Sequence, residues 1–151
     1  MKVLIILGSE SDIPQIEGTK QILSQFKIPF DLVVASAHRN PKKVAEIASG
    51  AESKYDAIIA GAGMAAHLPG VVAAHTILPV IGIPMETKSL SGLDSLYSIV
   101  QMPSGVPVAT VAIGGGKNAA ILAAQILSLK YPKIKVSLKA LKHKMSKGVK
   151  I

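Results

Sequence analysis

Four segments of the chain collect residue types suited to acid–base chemistry on a phosphorylated small molecule. Gly8-Ser9-Glu10-Ser11-Asp12 follows an apolar run and leads into a helical pattern, so backbone N–H groups, two hydroxyls and a positive helix end converge as they would on a phosphate. The further glycines of a dinucleotide fingerprint are missing, and helix capping by Ser11 or Asp12 is the competing explanation. Ser36-Ala37-His38-Arg39-Asn40-Pro41 holds the only arginine among 17 Lys and Arg residues. A chain that otherwise uses lysine has reason to place a planar, bidentate guanidinium where a phosphate must be gripped. His38 beside it supplies an imidazole that exchanges protons near neutral pH; a surface His–Arg pair at a helix start is the plainer reading.

Gly61-Ala62-Gly63-Met64-Ala65-Ala66-His67-Leu68-Pro69-Gly70 reads as a long, small, apolar loop that lets backbone approach a flat ligand. Its nonpolar surround around His67 suits carbon dioxide or a reactive carboxylate, while a structural histidine and close glycine packing form the alternative. Pro84 to Ser95, with Lys88, Ser89, Ser91, Gly92 and Asp94, and Gln101 to Pro107 look like pocket-covering or subunit-contact segments. Gly114-Gly115-Gly116 either shapes the site or turns the chain.

These segments need a frame. Val3–Leu7, Phe30–Ala35, Ala57–Ala60, Val80–Ile83 and Val108–Ile113 are short apolar runs separated by helical spacing, the pattern of a parallel sheet. Ile13, Ile16, Ile22, Leu23 and Phe26 share one helical face, as do Val44, Ile47, Ala48 and Ala51, with Pro14 and Pro41 each placed in a first turn. Right-handed crossovers then give an open, doubly wound three-layer α/β sheet, expected in the order 2-1-3-4-5. Ligands of such sheets lie beyond the carboxyl ends of the strands, where the four segments fall.

Asn118 to Leu129 reads as a further helix, and beyond Pro132 the residues Ile134, Leu138, Leu141 and Met145 continue helical spacing into an extension over about 133–149. This amphipathic helix is extra to a five-stranded core of about 1–130. It has two places to lie, its own domain or a neighbouring subunit, and the neighbour is the expectation.

The length of 151 residues fits a single domain spanning 1–151. Hydrophobic residues make up 49% but aromatics only 3%, so the core must be aliphatic, as buried parallel strands under close-packed helices require. The absence of cysteine excludes disulfides, thiolate metal sites and a Cys nucleophile, and makes the cytoplasm the expected compartment. Val3–Leu7 is too short for a signal core or membrane span. The formal charge of +8 resides in Lys130, Lys133, Lys135, Lys139, Lys142, Lys144, Lys147 and Lys150, and the remaining basic residues balance the 9 Asp and Glu. No aromatic residue interleaves with those lysines as a base-stacking platform, so a solvated helix face is preferred to nucleic-acid binding.

Together GSESD, SAHRNP, GAGMAAHLPG, PVIGIP, SGLDSLYSIVQMPSGVPVATVAIG and NAAILAAQIL resemble the N5-carboxyaminoimidazole ribonucleotide mutase family, in order, from about residue 3 to 130. The resemblance implies a flavodoxin-like subunit, a homo-octamer, no metal and no organic cofactor, and conversion of N5-carboxyaminoimidazole ribonucleotide to 4-carboxy-5-aminoimidazole ribonucleotide. By the same resemblance Ser9, Ser11 and Asp12 hold ribose and phosphate, and Ser36 and Arg39 complete the phosphate site. His38 is then the general acid–base, and Gly61, Ala62, Gly63, Ala66, His67 and Leu68 line the carboxylate pocket. The AAHLPG run favours the mutase over the related branch that carboxylates aminoimidazole ribonucleotide directly. A noncatalytic nucleotide-binding module is the more distant alternative. Met64 stands where the family often has glycine, the Gly114–Lys117 loop is short, and the lysine-rich tail lies outside the resemblance.

Overall fold

The computed structural model describes residues 1–151. Five parallel strands, β1 (Val3–Leu7), β2 (Phe30–Val34), β3 (Ala57–Ala62), β4 (Val80–Pro84) and β5 (Ala109–Thr110), form one sheet in the order β2-β1-β3-β4-β5. The helices are α1 (Glu17–Gln25), α2 (Pro41–Gly50), α3 (Leu68–Ala73), α4 (Leu93–Val100), α5 (Gly116–Ser128) and α6 (Pro132–Ser146). This is the flavodoxin-like order expected from the sequence.

The two-residue period of the central strands divides the core. Val3, Ile5 and Leu7 of β1 join Ala57, Ile59, Ile81 and Ile83 beneath α1 and α5. Leu4 and Ile6 join Ile58, Ala60 and Ala62 on the opposite face, beneath α2 and α3. With so few aromatics, close approach of backbones replaces bulk. Ala119, Ala120, Ala123 and Ala124 of α5 are all fully buried. Where α5 begins, a Cβ on Gly116 would lie 2.4 Å from Thr19 Oγ1, so glycine is what lets α1 and α5 touch.

Four local expectations change. Pro14 does not open an α-helix: Glu10–Ile16 is a 3-10 segment with Pro14 inside it, and α1 starts at Glu17. The fifth strand shrinks from Val108–Ile113 to Ala109–Thr110, its pairing with β4 confined to Ile81–Ala109 and Gly82–Thr110. The third loop is shorter than expected, since β3 continues through Gly61 and Ala62 and α3 begins at Leu68. Finally, α6 lies on its own domain: Ile134 and Leu141 are buried in the cluster beneath α1 and α5, with Leu138 packed against it. Its lysines face outward, and no helix is long and apolar enough to cross a membrane.

Candidate active site

A cavity of about 390 Å³ opens at the carboxyl ends of β1, β2 and β3. Its walls carry Gly8, Ser9, Ser11 and Asp12 after β1, Ser36, Ala37, His38 and Arg39 after β2, and Ala62, Gly63, Met64, Ala66 and Leu68 around the end of β3. The strand order creates this: β1 sits between β2 and β3, and the connections from β1 and β2 leave toward opposite edges, opening a crevice.

Each wall is built locally. Ser9 caps the 3-10 segment, its Oγ accepting from Ser11 N–H at 3.3 Å and from the Ser11 hydroxyl at 2.8 Å. The cap is thus Ser9, not Ser11 or Asp12, which lie inside the segment, and the capped turn presents both serines to the cavity. Asp12 is 8% exposed, and burial raises its carboxyl above the usual range, with hydrogen bonding to Ser9 and Ser11 offsetting part of the rise. Asn40 caps α2 by accepting from Lys43 N–H at 3.2 Å, with Pro41 in the first turn. That turn also takes Arg39 N–H onto Ser36 Oγ at 3.3 Å. The Arg39 guanidinium crosses to Gly8, donating from Nη2 to its carbonyl at 3.2 Å, which ties the β1 and β2 loops across the cavity mouth.

Two of the expected lining residues stand elsewhere. Gly61 alternates to the far face of β3, where a Cβ would meet Met85 Cε at 2.1 Å and Leu7 Cδ2 at 2.9 Å. It is a packing glycine. His67 turns into the protein: Nδ1 hydrogen-bonds the Ser98 carbonyl of α4, and its ring occupies the space of a Gly70 side chain, 2.0 Å from where that Cβ would be. The imidazole thus joins α3 to α4, with Gly70 absent of side chain to admit it. Ala62, Gly63, Ala66 and Leu68 do reach the cavity and give it a small apolar end.

Thr87 lines the cavity without having been singled out from sequence. It lies three residues past the end of β4, and the strand-end rule is the signal that would have found it. Its Oγ1 is buried without a partner in the chain. The adjoining Glu86 is pinned to the β1 side by Gln15, whose Oε1 accepts Glu86 N–H at 3.0 Å while Nε2 donates to Glu86 O at 3.1 Å. Met64 adopts φ +59° in a turn closed by Ala66 N–H to Gly63 O at 3.3 Å, a conformation costing about 1–2 kcal/mol for a residue with a Cβ. No three His, Asp or Glu side chains converge closely enough to ligate a metal ion.

Hydroxyls, a guanidinium and capped backbone, an imidazole at the rim and a small apolar wall define a doubly wound α/β domain with a polar strand-end cavity. The chain belongs to the AIR carboxylase family, whose model matches residues 2–148. It is 54% identical over 147 residues to the N5-carboxyaminoimidazole ribonucleotide mutase of Pyrococcus abyssi, covering 97% of this chain and 84% of that protein. The mutase of Thermotoga maritima is 54% identical over 149 residues, covering 98% and 87%. That of Vibrio cholerae is 49% identical over 152 residues, covering 99% and 94%. A crystal structure of Treponema denticola PurE superposes with a TM-score of 0.86 at 31% identity, covering 97% of this chain and 92% of that one.

Proposed function

We propose that this protein is an N5-carboxyaminoimidazole ribonucleotide mutase of purine biosynthesis, acting in the cytoplasm as a homo-oligomer on a small ribonucleotide. The observation that carries the reading is the convergence of Ser9, Ser11, Asp12, Ser36, His38 and Arg39 on one cavity whose other end is walled by Ala62, Gly63, Ala66 and Leu68. Arg39, Ser36 and the serines of the β1 loop bind the phosphate, and Asp12 accepts from the ribose hydroxyls. The heterocycle then lies toward the apolar end with His38 beside it.

The substrate carries its carboxylate on the exocyclic nitrogen, and the product carries it on ring carbon 4. The N–C bond breaks with its electron pair passing to nitrogen, which takes a proton from the His38 imidazolium, leaving carbon dioxide and an enamine-like ring. Carbon 4 attacks the carbon dioxide, forming the new C–C bond. His38, now neutral, removes the carbon 4 proton, restoring the aromatic ring and its own starting state. No atom is gained or lost. Positioned proton transfer of this kind contributes typically ~100- to 10,000-fold. Holding carbon dioxide against its acceptor supplies effective concentration. The chamber serves this through its small apolar side chains, with His67 acting from behind as the strut between α3 and α4.

The assembly reading is supported by α4, where Leu93, Tyr97 and Val100 remain 49%, 62% and 47% exposed, with Leu90 just before them at 56%. A second copy covering this face, in an octamer by the family resemblance, accounts for apolar surface that a monomer would leave in water.

The test follows absorbance with purified protein on N5-carboxyaminoimidazole ribonucleotide, beside aminoimidazole ribonucleotide plus bicarbonate. Rapid product from the first alone is expected. Product only from the second makes the protein a direct carboxylase, and product from neither overturns the enzymatic reading.

A further inference from the structure

Met64 holds a backbone conformation that suits glycine or asparagine, yet the chain does not bury its side chain in return. It stands at φ +59° and is 61% exposed, on the cavity wall beside Gly63 and Ala66. The other two non-glycine residues with positive φ have local explanations. Lys27 ends α1, its N–H bonded to Ser24 O at 2.9 Å, and Ser91 closes a turn onto Thr87 O at 3.0 Å just before Gly92 caps α4. Met64 also lies in a closed turn, but this one stands on the cavity wall and its large apolar side chain gains no core packing in return. Residues held in such conformations cluster at active sites and ligand clamps.

We propose that Met64 caps the ring end of the bound nucleotide and holds carbon dioxide in the cavity between bond breaking and bond making, so that it sets the partition between carboxyl transfer and carboxyl loss. This rests on the mutase reading. The chemistry supplies the need: once the N–C bond has broken, escape of carbon dioxide leaves aminoimidazole ribonucleotide, whereas retention yields product. Ala62, Ala66 and Leu68 are fixed walls on one side of the small apolar end. The Met64 thioether is unbranched and adaptable, able to lie over a flat heterocycle and exclude water from the fragment.

The experiment measures, in buffer equilibrated with labelled bicarbonate and carbonic anhydrase, the label entering product and the aminoimidazole ribonucleotide released per turnover of unlabelled substrate. Wild type, Met64→Gly and Met64→Leu are compared. Glycine relaxes the turn, so that variant folds and melts no lower than wild type. Its product should carry several-fold more label and its release of aminoimidazole ribonucleotide should rise, while leucine stays near wild type. Equal labelling in all three overturns the proposal. So does a Met64→Gly protein that dissociates into smaller assemblies with unchanged labelling, which makes the residue a subunit contact. Failure of wild type to use the N5-carboxylated substrate at all is a separate result, sinking the mutase reading itself.

Discussion

Replacing Arg39 with alanine should weaken binding of the phosphorylated ligand by about 150-fold, and the figure follows from the guanidinium's donors. Arginine offers five N–H donors, and only the Nη2 bond to Gly8 O, at 3.2 Å, is committed within the chain. The fork therefore retains a pair of parallel donors for two phosphate oxygens. Charge-assisted bonds contribute about 1.5–3 kcal/mol each, and Arg39 is exposed, so the lower value applies: two bonds make about 3 kcal/mol, or about 150-fold in Kd. Lysine keeps the charge but loses the fork and the reach to Gly8, and should recover roughly half of that energy. Titration calorimetry with the product ribonucleotide and with its dephosphorylated nucleoside separates the cause. Wild type should bind the nucleoside far more weakly than the nucleotide, and Arg39→Ala should nearly abolish that difference. If both ligands lose affinity equally, or the nucleotide Kd is unchanged, Arg39 does not clamp the phosphate. The melting temperature serves as control, because losing one exposed contact should move stability by no more than about 0.5 kcal/mol.

His38→Asn should keep nucleotide affinity while turnover falls by at least ~100-fold, since the amide fills similar space but relays no proton; near-normal kcat in steady-state assays would remove His38 from the chemistry. Asp12 has a folded-state pKa raised chiefly by burial, so its ionised form costs stability that is intact below the unfolded value and is lost as pH rises through the folded one. Asp12→Asn should accordingly melt higher than wild type at pH 7, lose that advantage below about pH 4, and bind nucleotide more weakly; a lower melting point at pH 7 would contradict this. Asp56 shows the opposite sign. Burial pushes it up, but the Tyr131 hydroxyl at 2.7 Å and the Lys2 N–H at 2.9 Å, with the N-terminal ammonium and Lys130 nearby, together leave it below the ordinary range. Its contribution is present above the unfolded pKa and disappears as pH falls through the folded one, so Asp56→Ala should cost about 1–3 kcal/mol at pH 7 and much less in acid. Denaturant midpoints across pH read this directly.

The local code made much of the fold legible. Val3–Leu7 is too short for a signal core or membrane span and reads as a buried strand, Pro41 marks the first turn of α2, and five such runs with helical spacers point to a doubly wound sheet. The same order places the β1, β2 and β3 loops together at the carboxyl edge, so Ser9, Asp12, His38 and Arg39 are legible from the sequence as one constellation. Those inferences need only period, capping chemistry and the handedness of crossovers, all properties of neighbouring residues.

Packing between distant elements decided the remainder. His67 has the same neighbours in sequence whether it faces a ligand or a helix, and only the arrival of Ser98 with the missing side chain of Gly70 turns it inward. Gly61 and Ala62 differ by one residue in β3 and fall on opposite faces, because which face meets the cavity is set by register against β1 and β4. Thr87 lies beside Glu86, which Gln15 grips from the segment after β1, two strands away from β4. The seam of α6 specified that the helix must bury Ile134 and Leu141, but not against whose α1 and α5, since an amphipathic face encodes a need for cover and the tertiary structure supplies it.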